Sequence, residues 1–204
     1  MQGRYRARAG CRAHYQSPNV DVLGWLVARL SGVPLQTFVA EEIWGRLGVE
    51  HDAFFITDLA YAPIATGGFN TTLRDAARFG LAVLHGGRVG DRQVLAADWV
   101  EQSFQVQESD REAARRSIFL DPENPAYFSA LEAYRNFWWV LDSKRGVILA
   151  QGVFGQFIYI NRAADLVVAG FASPAAISNV RRPSFHRKLA AVEAIASHLV
   201  AQKP

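Results

Sequence analysis

Apolar residues recur at helical spacing through the first half of the chain and at shorter spacing through the second. Leu23, Leu26, Val27 and Leu30 fall at i, i+3, i+4 and i+7, which predicts one apolar face of a helix over 20–31. Ser31-Gly32 ends it, the glycine suiting a left-handed cap. Pro34 opens a second helix, where its missing N–H costs nothing. Leu35, Phe38, Val39 and Ile43 form its stripe and Gly48 stops it. Two helices so closely joined are expected to pack as a pair. Residues 49–71 carry few periodic signals. Thr72-Leu73-Arg74-Asp75 has capping-box spacing and opens a helix with Leu73, Ala76, Ala77, Gly80, Leu81 and Leu84 on one face, closed by Gly86-Gly87. A further short helix is expected over 96–104.

Residues 106–130 are polar and interrupted by Pro122 and Pro125, and read as a long surface loop. Beyond it the period changes. The runs 137–141, 146–150, 156–160 and 166–171 are short and rich in β-branched and aromatic residues, as strands of a meander are. In the third run Phe157 and Tyr159 point to one side and Ile158 and Ile160 to the other, so the sheet needs cover on both faces. Phe185, Leu189, Val192, Ala196 and Leu199 share one face of a last helix that supplies part of that cover.

Composition narrows the function classes. Half of the 204 residues are hydrophobic, with 13 Phe and 5 Trp, enough for a sizeable core. The net charge of +3 is spread over interspersed acids and bases. Arg4, Arg6, Arg8 and Arg12 form one basic cluster, but without the interleaved aromatics of a single-strand binder, so no nucleic-acid partner is expected. A single cysteine, Cys11, rules out an internal disulfide framework. No apolar run reaches the length of a membrane span, and the basic start lacks the apolar stretch of a signal peptide. A cytoplasmic chain without a membrane partner is the expectation.

Several chemistries are missing. The five histidines make no HExxH pattern, and no Cys/His cluster has zinc spacing. There is no GxGxxG fingerprint, no phosphate-binding loop and no G-x-S-x-G elbow. No metal or cofactor is expected. What stands out is Tyr15 in a short polar loop, with Ser17 two residues on and an apolar helix immediately after. Such a loop can hold a phenol hydroxyl still for proton transfer. A tyrosine packed by its ring is the ordinary alternative. Gly67-Gly68 would let backbone approach a ligand closely, or simply make a turn.

Three segments in this order resemble the serine β-lactamase-like hydrolases: class C β-lactamases, some esterases, D-amino-acid peptidases and the 6-aminohexanoate-dimer hydrolases. They are Tyr15-Gln16-Ser17-Pro18-Asn19 with the helix to Leu26; Gly67-Gly68-Phe69-Asn70-Thr71-Thr72-Leu73-Arg74-Asp75 through Gly80; and Tyr134-Arg135-Asn136-Phe137-Trp138-Trp139-Val140 with Gln151-Gly152-Val153-Phe154-Gly155-Gln156. The nylon-oligomer-hydrolase branch looks most similar, through Trp138-Trp139 and the Gly-Val-Phe-Gly-Gln run. The resemblance implies an α+β fold, an antiparallel sheet flanked by helices plus a helical lobe, with the active site between them. It further implies an acyl-enzyme formed on a Ser-x-x-Lys serine. Tyr15 and Ser17 match the family's Tyr-x-Ser/Asn segment. The amide of Val153 matches an oxyanion donor. Trp139, Gly152 and Phe154 match the substrate-binding wall and its turn. The implied substrate is a small ester, β-lactam or linear amide.

The chain departs from that pattern. Its lysines are Lys144, Lys188 and Lys203, and the residues three before them are Leu141, Phe185 and Val200, so no Ser-x-x-Lys is present. The family's Lys-Thr-Gly strand motif is also absent, the corresponding backbone lying around Ala150 to Val153. The expectation is one incomplete domain over 1–204, with a helical lobe at 15–105, a loop at 106–130, and the sheet and last helix at 131–204. It would be a gene fragment, a misplaced start or half of a split enzyme, inactive alone. A non-catalytic binding module, or a subunit complementing a separate chain that carries the motif, are the alternatives.

Overall fold

A computed structural model describes residues 16–117, 120, 130–173 and 183–203. Its centre is a five-stranded antiparallel sheet, β5 (Ala133–Arg135), β6 (Trp138–Asp142), β7 (Val147–Gln151), β8 (Phe157–Asn161) and β9 (Leu166–Gly170), in the order of the sequence. Alternation along these strands gives the sheet two apolar faces. On one, Trp138, Val140, Ile148 and Ile160 pack with Val83, Leu84, Val100 and Phe104. These four belong to α3 (Leu73–Leu84) and α4 (Ala97–Phe104). On the other, Trp139, Val147, Leu149 and Tyr159 pack with Phe185 and Val192 of α6 (Pro183–Ala201). The expected opposition of Phe157 and Tyr159 to Ile158 and Ile160 holds.

α3 lies close on the sheet because of Gly80. A β-carbon there would stand 2.7 Å from Val167 Cγ1 and 3.0 Å from Ile158 Cγ2. At its start the Thr72 hydroxyl accepts the Asp75 N–H at 3.2 Å, as the capping spacing predicted.

The helical lobe begins with α1 (Pro18–Ser31), capped by Gly32 at φ 75°. The expected second helix is a run of changing pitch: α2 (Leu35–Phe38), a π turn over Val39–Ile43, then a 3₁₀ turn over Trp44–Arg46. Two small hairpins, β1–β2 (Phe54–Phe55 with Phe69–Asn70) and β3–β4 (Arg88–Val89 with Arg92–Gln93), were not expected.

The long surface loop expected over 106–130 is corrected at its start, where α5 (Glu108–Arg115) forms. Gln107 and Asp110 close a reciprocal capping box. The helix is almost wholly polar, so it leaves no apolar stripe to read. Charge pairs hold it instead: Arg111 to Glu132 at 2.5 Å and Arg135 to Asp110 at 2.8 Å. Glu132 also accepts the Ser143 N–H at 2.6 Å. β5 is likewise an addition to the four expected strands.

Candidate active site at one end of the sheet

A strict meander sends its turns alternately to opposite ends of the sheet. The β5–β6 turn at 136–137, the β7–β8 turn at 152–156 and the exit of β9 at 171–173 therefore share one end. Gln156 ties two of them: its Nε2 donates to the Ala172 carbonyl at 2.8 Å and its Oε1 accepts the Ala172 N–H at 3.2 Å.

The β5–β6 turn has two residues, since Arg135 pairs with Trp138. Both adopt positive φ, Asn136 at 49° and Phe137 at 66°, as hairpin twist demands. Asparagine accepts this readily, whereas an aromatic residue there is strained. Asn136 Nδ2 donates to Ser103 Oγ at 3.2 Å, holding the tip against α4. The ring of Phe137 is half exposed and lines a cavity of about 280 Å³ with Gln16, Asn19, Val20, Trp99, Tyr134 and Asn136. The head of α1 thus meets the hairpin tip. The β7–β8 turn repeats the device, with Phe154 at φ 59° and Gly155 at 94°.

The head of α1 is also held by the segment before Gly67. The Thr66 N–H donates to Asp21 Oδ1 at 2.9 Å, and the Thr66 hydroxyl donates to the Ser17 carbonyl at 2.9 Å. Gly68 follows, packed so tightly that a β-carbon would stand 2.4 Å from the Ile64 carbonyl oxygen. Its glycine serves backbone packing, while Gly67 faces open space.

The sequence-derived site residues distribute as follows. Tyr15 lies outside the described residues, as does the basic cluster at 4–12. Ser17 is exposed, has helical φ/ψ and makes no side-chain cap. Gly152, Val153 and Phe154 form the turn at the same end of the sheet, Val153 and Phe154 exposing much of their side chains. The Gly152 N–H donates to the Gln156 carbonyl at 2.9 Å. Trp139 is 5% exposed, stacks edge-on against Tyr134 at 5.1 Å and belongs to the cluster under α6. It lines neither this cavity nor the larger one on the helical lobe. The register puts Trp138 toward α3 and turns Trp139 away. Asn136, Phe137 and Trp99 were not among the site residues expected from the sequence. A two-residue turn beginning with asparagine was the signal for the first pair.

Electrostatics separates structural from chemical groups. Burial pushes the Asp75 carboxyl up, but the Glu50 N–H, the Thr72 hydroxyl and Arg78 outweigh it and hold it at about 2. Burial and the neighbouring Glu193 carboxylate push the Tyr159 phenol well above its ordinary range. It donates to Glu193 Oε1 at 2.7 Å and accepts from Asn161 Nδ2 at 2.9 Å, locking α6 to the sheet. Burial likewise opposes the Glu132 carboxylate, yet Ser143 and Arg111 carry it below its usual value. Each is a satisfied clamp, placed away from the cavity. No cluster of three or more His, Cys, Asp or Glu suited to a metal occurs among the described residues. No single described helix is long and apolar enough to cross a membrane.

Comparison with known proteins agrees with this architecture. The family model described as Beta-lactamase matches residues 4–188. The 6-aminohexanoate-dimer hydrolase of Paenarthrobacter ureafaciens is 30% identical over 161 residues, 78% of this chain and 38% of that protein. Among solved structures, a Bacillus anthracis protein assigned as a 6-aminohexanoate-dimer hydrolase superposes with a TM-score of 0.78 at 29% identity, over 95% of this chain and 46% of that one. Simvastatin synthase of Aspergillus terreus shares the fold, with a TM-score of 0.65 at 18% identity, over 95% of this chain and 55% of its own. The chain spans less than half the length of the two 6-aminohexanoate-dimer hydrolase relatives.

Proposed function

Because the chain belongs to the beta-lactamase family, whose serine β-lactamase-like hydrolases it resembles, we propose that it forms one part of an acyl-transfer site for a small ester, β-lactam or linear amide. The observation that supports this reading is the convergence at one end of the sheet. The head of α1 meets the strained Phe137 tip there, and the 152–156 turn lies at the same end of the sheet; the resemblance sets Tyr15 just before the first and Val153 in the last. In this proposal a serine from outside these 204 residues adds through its Oγ to the substrate carbonyl. Its proton passes to the Tyr15 oxygen as the phenol hands its own proton to the neutral lysine of the same Ser-x-x-Lys motif, and the Val153 N–H steadies the oxyanion. The proton returns to the departing alcohol or amine, and water then cleaves the acyl ester. Ser17 orients the head of α1, Gly152 and Phe154 shape the turn, and Trp139 and Phe137 contribute to the wall. The likeness to two 6-aminohexanoate-dimer hydrolases favours a linear amide.

The test is hydrolysis of p-nitrophenyl acetate, a chromogenic cephalosporin and the linear 6-aminohexanoate dimer by the purified chain, with Tyr15→Phe as control. No turnover by the chain alone is expected. Turnover should appear when a fragment carrying Ser-x-x-Lys is added, and fall by two or more orders of magnitude in Tyr15→Phe. Turnover by the chain alone that Tyr15→Phe leaves unchanged would refute both the incomplete site and the role of Tyr15.

A further inference from the structure

The cavity between the head of α1 and the 136–137 turn is lined by one kind of chemistry. Gln16, Asn19 and Asn136 bring carboxamides to it, and Trp99, Tyr134 and Phe137 bring rings. None of the described residues lining it carries a formal charge at neutral pH. The Gln16 and Asn19 side chains make no hydrogen bond among the described residues.

The fold orients one of these carboxamides. Ser103 is 1% exposed and donates its hydroxyl hydrogen to the Trp99 carbonyl at 2.9 Å. With that hydrogen spent, the hydroxyl can only accept from Asn136, whose Nδ2 stands 3.2 Å away. The Asn136 amide therefore turns its nitrogen toward α4. Its Oδ1 is left as an acceptor that meets no donor among the described residues. Beside it the turn keeps the Phe137 ring on the cavity wall at the cost of a positive φ.

These features select a ligand. A fixed acceptor calls for a donor, and the free carboxamides offer donors and acceptors together. A carboxylate or an ammonium group would shed its hydration there without a counter-charge. The rings suit methylenes or a planar group. A neutral secondary amide, with one N–H, one carbonyl and a flat apolar flank, meets all three conditions, and about 280 Å³ holds it with a short run of methylenes. We infer that this cavity binds a neutral secondary amide of the substrate chain beside the scissile bond, read through its N–H by Asn136 Oδ1, with Ser103 as the positioning residue that orients Asn136. The substrate is then an oligoamide or a peptide cleaved next to an interior amide, not next to a charged chain end. The inference rests on the reading of this end of the sheet as the acyl-transfer site, but binding itself needs no turnover.

The test is titration of the purified chain, followed by ligand-observed NMR, with N-methylhexanamide, methyl hexanoate and hexanoate at pH 7. The three probes share a chain and differ at one end in the N–H and the charge. The amide should bind about fivefold more tightly than the ester, which lacks the donor, and hexanoate should bind more weakly still. Asn136→Gly suits the positive φ of the turn and removes the acceptor; it should bring the amide down to the ester and leave the ester unchanged. Asn136→Asp keeps an acceptor and should keep the preference. Ser103→Ala frees the Asn136 amide to turn over and should narrow the preference. N-acetylglycine N-methylamide separates the sources: weaker binding than N-methylhexanamide points to an aliphatic oligoamide and tighter binding to a peptide, and either order upholds the amide pocket. Failure of the amide to bind, equal binding of amide and ester, tightest binding of hexanoate, or a preference that survives Asn136→Gly overturns the inference. An amide preference without hydrolysis on complementation upholds the pocket and refutes only the proposed activity; hydrolysis without that preference overturns the pocket alone.

Discussion

Asp75 offers the sharpest test of how the helical lobe is held. Its side chain has no solvent exposure, yet it collects donors from three directions. The Glu50 and His51 N–H groups donate at 2.9 and 3.2 Å, the Thr72 hydroxyl at 2.7 Å and Arg78 Nη1 at 2.8 Å. These bonds join the 49–51 turn to the first turn of α3. With its pKa drawn from 3.8 to about 2, at 1.36 kcal/mol per unit, ionised Asp75 contributes about 2–3 kcal/mol at neutral pH. The depressed pKa means that this contribution is complete above about pH 4 and is lost as pH falls toward 2. Asp75→Asn keeps the shape but turns an amide N–H₂ toward donors, and should cost about 2–4 kcal/mol at pH 7. Asp75→Ala, which strands Arg78 and two backbone donors, should cost about 3–5 kcal/mol. Urea unfolding at pH 7, and again from pH 5 down to pH 2.5, measures both. The variants should lose the acid-dependent part of the midpoint that the parent shows. An Asp75→Asn protein within 0.5 kcal/mol of the parent, or a parent whose midpoint is flat over that range, would refute the reasoning.

Gly80→Ala should destabilise by about 1–3 kcal/mol despite alanine's better helix propensity, because its methyl would meet Val167 and Ile158; Val167→Ala in the same chain should restore part of the loss. Tyr159→Phe removes the hydroxyl that joins Glu193 to Asn161, and a loss of about 1–2 kcal/mol in thermal unfolding is expected. Asp21→Ala frees the Thr66 N–H, so amide exchange should accelerate at 17–22 and 64–68 while the sheet is unaffected. Phe137→Gly relieves a positive φ, and should raise stability while lowering substrate affinity in the complemented enzyme. Binding that survives Phe137→Gly unchanged would remove that ring from the pocket.

Elements whose own residues carry the signal were readable from the sequence. α1, α3, α4 and the last four strands announce themselves by spacing and by caps such as Thr72 and Gly32. α5 did not, because Asp110, Arg111 and Arg135 hold it through charge pairs with distant partners. The pitch change after Phe38 carries no sequence mark either. The strand expected over 137–141 begins one residue later, at Trp138, because Asn136 and Phe137 form the turn. Alternation puts Trp138 and Trp139 on opposite faces of the sheet; which of them packs toward α3 required the register. For the candidate site, the segments of Ser17 and Val153 were marked in the sequence by the family resemblance alone. The cavity was not, since Gln16, Trp99 and Phe137 meet only after the chain has folded around them.

The sequential order of the sheet has a consequence for how the molecule assembles. Each strand from β5 to β9 pairs with its immediate neighbour in the chain, so each ladder closes a short loop and contact order within this half is low. Such hairpins can zip one onto the next on the microsecond scale, and α6 then locks the result through Glu193. The helical lobe has no ladder of comparable extent among its described residues. Synthesis nonetheless delivers it first. The nascent chain therefore carries an apolar lobe before the sheet that supports it has been made.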